Sequence, residues 1–127
     1  MSLVLADTSV WVAHFRSPNA VLQSLLEMDQ VLCHPLVVLG IACGTPPAPR
    51  DRTLGDLMGL RAAVVATIDE TLNLIERNQL RDSGCGAVDM ALLASVLLTP
   101  DALLWTADKR LDALAARLGV AFIAARQ

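Results

Sequence analysis

At 127 residues and a formal net charge of −3, the chain is long enough for one self-sufficient domain and carries no global positive field of the kind a general nucleic-acid binder shows. Hydrophobic residues make up 54%, yet the two least charged stretches, 31–49 and 83–100, are interrupted by prolines, by glycines or by Asp89, so neither reads as a membrane span. Three cysteines without CxxC spacing argue against a disulfide framework, and with only His14 and His34 a zinc site is a poor fit. Free buried thiols in a cytoplasmic protein are expected, since no basic segment followed by an apolar run opens the chain.

In chain order, Leu3-Val4-Leu5-Ala6 is an apolar run that predicts a buried strand. Asp7-Thr8-Ser9 supplies a capping break, and Val10, Trp11, Val12 and Phe15 predict a helix. Pro18-Asn19 ends it, and Val21, Leu22, Leu25, Leu26 and Met28 carry a second amphipathic helix. Val31-Leu32-Cys33 is a strand candidate, and Pro35 to Gly44 reads as a helix, because Pro suits a first turn and Gly an end. "TPPAPR" is a rigid loop, residues 51–62 form a polar-faced helix, and Ala63-Val64-Val65-Ala66 reads as another buried strand. A helix opened by Asp69-Glu70 follows, then the Asp89 helix, the strand Leu103-Leu104-Trp105, a helix over 107–118 and a last strand at 120–123. Continuous apolar strands alternating with helices predict one α/β domain, residues 1–127, with a parallel sheet covered on both faces.

In such a sheet, ligands bind beyond the carboxyl ends of the strands. Asp7 follows the first strand directly, Asp108 lies three residues past Trp105, and Asp89 sits in the first turn of its helix, on the same side. Three convergent carboxylates repel one another unless a cation lies between them, and an all-oxygen ligand set favours Mg2+ or Mn2+. Such an ion can activate a water and steady the leaving oxygen of a phosphodiester. Each acid also reads as an ordinary helix N-terminal residue, held by backbone amides, and periodicity alone leaves both readings open.

"VLADTSVWVAHFR", "HPLVVLGIACG", "CGAVDMALLAS" and "LLWTADKRLDALAARLGV" occur in this order over nearly the whole chain. Together they resemble a PIN domain of the VapC toxin type. The resemblance implies a three-layer α/β/α fold, Mg2+-dependent endoribonuclease activity on an RNA substrate, and pairing with a VapB-type antitoxin. It implies that Asp7, Asp89 and Asp108 are the acidic metal-site and catalytic residues, with Thr8 and Thr106 as the hydroxylated residues beside them.

One position departs from the pattern. Where similar proteins carry a glutamate that completes an acidic quartet, this chain has Gly40, and no acid lies between Asp29 and Asp51. The loss removes a charge and an acceptor that would orient the attacking water, so weak activity is expected. A PIN fold that binds antitoxin or RNA without cutting is the main alternative, and a phospho-acceptor domain with an acid pocket ranks below both. The apolar helices at 10–15 and 21–28 predict an exposed patch and a homodimer. Trp11 and Trp105 are expected in the core, His14 on the surface and His34 in a turn.

Overall fold

Two parallel strand pairs build the centre of the molecule. The computed structural model describes residues 1–124. β1 (Leu3–Ala6) pairs with β4 (Ala102–Trp105), in register from Leu3 opposite Ala102 to Ala6 opposite Trp105. β2 (Leu32–Cys33) pairs with β3 (Arg61–Ala62). A parallel bridge between Val4 and Val31 joins the two pairs, and another between Leu104 and Ala121 extends the far side. The order across the sheet is therefore β3, β2, β1, β4 and Ala121, all parallel.

Among the described residues seven helices surround it: α1 (Thr8–Arg16), α2 (Ala20–Glu27), α3 (Pro35–Ala42), α4 (Arg50–Met58), α5 (Ile68–Asn78), α6 (Ala87–Leu98) and α7 (Lys109–Arg117). Val4, Leu5 and Leu104 are wholly buried, as strands covered on both faces require, and the layers are α/β/α. Trp11 and Trp105 join this core. Side-chain caps fix five helix starts: Asp7 on α1, Asn19 on α2, His34 on α3, Thr67 on α5 and Asp108 on α7. Two of these caps are the acids singled out from the sequence, and each follows a central strand.

The sequence reading fails where side chains replace strand pairing. The run at 63–66 is not a buried strand: β3 lies two residues earlier, and Val64 and Val65 are exposed. The Val64 amide donates to Thr99 Oγ1 at 2.9 Å and the Ala66 amide to Ser95 Oγ at 3.0 Å, so α6 takes up the hydrogen bonds a neighbouring strand would have made. The helix at 51–62 stops at Met58, where Gly59 follows, and the segment at 120–123 contributes only the bridge at Ala121. The last helix starts at Lys109, not 107, because Asp108 caps it.

His34 is not a turn residue. It is fully buried; its Nδ1 accepts from the Leu36 amide at 3.0 Å, and its Nε2 donates to Ser95 Oγ at 2.9 Å. Ser95 Oγ donates in turn to the Ala91 carbonyl and accepts from the Ala66 amide, so α3, α6 and the 66 loop meet at this hydroxyl, against an imidazole that burial holds below its ordinary pKa. Among the cysteines, all free, Cys33 and Cys85 are half-buried, but Cys43 is exposed at the end of α3. The helices at 10–15 and 21–28 turn Val10, Trp11, Leu22 and Leu25 inward and leave Val12 and Met28 exposed; further large apolar residues are exposed at Val64, Val65, Ile68, Leu72 and Val88. No helix of the described residues is long and apolar enough to cross a membrane.

Candidate functional site

Asp7 is 7% exposed, and three donors hold its carboxylate. Oδ1 accepts from the Ser9 hydroxyl and from the Val10 amide at 3.3 Å, and Oδ2 accepts from the Thr106 hydroxyl. A buried carboxylate is tolerable when its oxygens are hydrogen-bonded in this way. The same hydroxyls bind the opposite loop: Thr106 Oγ1 accepts from the Asp108 amide and Ser9 Oγ from the Ala107 amide, both at 3.0 Å. The ends of β1 and β4 are thus laced together, and Asp108 is delivered beside Asp7.

Asp108 is exposed and turns one oxygen back onto the Arg110 and Leu111 amides, at 2.8 and 3.2 Å. Asp89 is half-buried in the first turn of α6. Burial raises its pKa above the usual carboxylate value, and the negative charges of Asp108 and then Asp7 push it in the same direction, while a hydrogen bond from the Gly86 amide opposes them. Asp89 therefore shares the electrostatic neighbourhood of both other acids. Among the described residues, no three His, Cys, Asp or Glu side chains are grouped so as to hold a metal ion in this arrangement. Asp7 and Asp108 accept from amides of their own helix starts, and Asp89 from Gly86.

Gly40 lies on the α3 wall beside α1. A Cβ added there would fall 2.5 Å from Thr8 Oγ1 and 3.3 Å from its Cγ2. The Thr8 side chain thus leans into the space that a side chain at position 40 would enter. Its hydroxyl reaches the Val37 carbonyl at 3.5 Å, the long limit of a hydrogen bond, and not Asp7.

Residues 4–117 match the PIN domain family. The chain is a member of the PIN-domain family. Ribonuclease VapC32 of Mycobacterium tuberculosis is 47% identical over 119 residues, which cover 94% of this chain and 95% of that protein, with the same values in strains H37Rv and CDC 1551 / Oshkosh. That identity places this PIN domain in the VapC-type branch. The crystal structure of PAE2754 from Pyrobaculum aerophilum shares the fold, with a TM-score of 0.58 at 18% identity over 93% of this chain and 90% of that one.

Of the two threonines expected to flank the acids, Thr106 touches Asp7, whereas Thr8 faces Gly40. Ser9 supplies the second hydroxyl on Asp7, and the sequence reading passed over it. Its signal was present, a hydroxyl two residues after a capping acid, but only the β1–β4 pairing reveals that it also binds Ala107. The donor chemistry of this PIN domain fits a hard cation. The carboxylates of Asp7, Asp89 and Asp108, with the Ser9 and Thr106 hydroxyls on Asp7, are oxygen donors of the kind a hard cation takes.

Proposed function

We propose that this chain is the endoribonuclease toxin of a VapBC-type pair, using Mg2+ or Mn2+ held by Asp7, Asp89 and Asp108 in a single domain spanning 1–127. The observation that carries the proposal is the placement of Asp89 within the fields of both Asp108 and Asp7, at the carboxyl ends of β1 and β4. In this reading, bound cation would supply the neutralising charge that lets the three acids approach one another and an RNA phosphate. The chain's own residues do the rest. Thr106 and Ser9 orient the Asp7 carboxylate by donating to both of its oxygens. The Asp108 amide is fixed through Thr106 Oγ1, which sets the direction of the α7 start. Asp89, whose pKa burial raises, is an acid whose ionised form a bound cation would favour.

Gly40 leaves the fourth wall without a carboxylate, so the proposal includes cleavage weaker than that of relatives with an acid there. It also includes a VapB-type antitoxin partner, a homodimer and a cytoplasmic location. Gly40 favours one second reading, a PIN fold that binds RNA or antitoxin without cutting. The two readings are separated by Mn2+ calorimetry and by cleavage of one RNA, comparing the natural chain, Asp89→Asn and the double variant Gly40→Glu with Thr8→Ala. Slow metal-dependent cleavage that Asp89→Asn abolishes and the double variant accelerates is the expected result. Absence of cleavage in all three would support the binding reading.

A further inference from the structure

Gly84 and Arg110 form a contact outside the acid cluster that the reading above does not use. Gly84 has φ +86°, the left-handed region that favours glycine, and a Cβ there would meet Arg110 Nη1 at 2.7 Å and Cδ at 2.8 Å. The Arg110 side chain therefore packs over Gly84, where a Cβ would force it to shift, between the loop that leads into α6 and the first turn of α7. Its backbone amide is tied to Asp108, which fixes where the side chain departs. Among the described residues the only ion pair is Arg61 with Asp29, and no hydrogen bond engages the Arg110 guanidinium. The bond from its amide to Asp108, at 2.8 Å, places this cation at the rim of the acid site.

Among the described residues this exposed charged fork has no hydrogen-bond or ion-pair partner, and it stands two residues from Asp108 at the start of α7. The acids attract a cation, and a phosphodiester brought there by the cation carries further phosphates on its strand. A guanidinium matches the two free oxygens of a phosphate in bidentate geometry, which an ammonium does not. We propose that Arg110, positioned by Gly84, binds an RNA phosphate adjacent to the one cleaved; this rests on the ribonuclease reading above.

The test is binding of a fluorescent single-stranded RNA in EDTA, where cleavage is stopped, measured over a range of salt. Arg110→Gln is expected to weaken binding about tenfold and to reduce the slope of log affinity against log salt by about 0.7, the value for one lost phosphate contact on a single strand. Arg110→Lys is expected to keep the slope but not the full affinity. Gly84→Ala, checked for folding by its thermal transition, is expected to fall between, and Mn2+ affinity is expected to stay unchanged in all three. Wild-type affinity and slope in Arg110→Gln would overturn the proposal, as would a loss confined to an acidic peptide, which would assign Arg110 to a protein partner. If the natural chain cleaves RNA but Arg110→Gln binds normally, this inference alone fails. If the natural chain neither binds nor cleaves RNA, the ribonuclease reading fails with it.

Discussion

The candidate cleft has two walls built on opposite principles. The wall of β1, β4 and the α7 start is held by hydrogen bonds between residues 98 and 99 positions apart, Ala107 to Ser9 and Thr106 to Asp7. The α3 wall presents Gly40, with the Thr8 side chain leaning into the gap. Directional bonds fix atoms to a few tenths of an ångström and carry a large penalty when half-broken, whereas a steric fit can be rebuilt by changing both partners at once. The first wall is therefore intolerant of single substitutions, and the second is open to engineering.

The largest expected effect comes from the bonded wall. Asp7→Asn is expected to lower Mn2+ affinity by about tenfold or more and to abolish RNA cleavage. In the natural chain, free cation at 100 times its Kd is expected to add about 2.7 kcal/mol of stability, and the variant should lose that gain in thermal melts. An unchanged cation-dependent shift would mean that Asp7 is only a helix cap.

Next comes the joint that seats α3. His34→Asn keeps an acceptor for the Leu36 amide but leaves Ser95 without its donor, and is expected to cost about 1–3 kcal/mol by urea unfolding. The natural His34 has a folded pKa below its unfolded value of 6.5, so the unfolded chain takes up the proton first. Stability is full above pH 6.5 and falls as the pH drops toward the folded value. His14 is shifted in the same direction by its burial, so the variant should flatten that fall only in part.

A third experiment is a double-mutant cycle on the steric wall. Gly40→Ala alone should show little of the gain of about 1 kcal/mol that leaving glycine gives a helix, because the new Cβ meets Thr8. Combined with Thr8→Ala the gain is expected to appear, as a coupling of about 0.5–3 kcal/mol. Additive effects would show that Thr8 rotates away freely and that the two positions are independent.

The smallest effect is expected at Asp89. Its folded pKa is raised, so the charged carboxylate is a cost in the folded state that is absent below the unfolded pKa and complete above the folded one. Asp89→Asn in cation-free protein is therefore expected to raise Tm by roughly 1–3 °C at neutral pH and by nothing in strong acid. An equal gain at both pH values would trace it to something other than charge.

Much of this was legible in the residues. Apolar runs at β1 and β4, the capping acids Asp7 and Asp108 and the helix around Asp89 announce themselves because each is local. The 63–66 run misled because its apolar pattern suits a strand, while the amides of Val64 and Ala66 bond to Thr99 and Ser95 far along the chain. His34, Ser9 and the Gly84–Arg110 contact were hidden for the same reason: each is defined by a partner distant in sequence. Gly40 could be seen as a missing acid, but not that Thr8 crowds its place. A side chain's absence is a sequence fact, and what occupies the space is a packing fact.

The pairing of β1 with β4 also sets an order of events during synthesis. Chains emerge from the ribosome at roughly 5–20 residues per second, and contacts spanning nearly the full length form last. Asp7 cannot acquire its Thr106 donor until residue 106 has cleared the exit, 99 positions later. Any fragment released before that point lacks Asp108 and the hydroxyl that orders Asp7. The three acids are thus brought together only once most of the chain has been made.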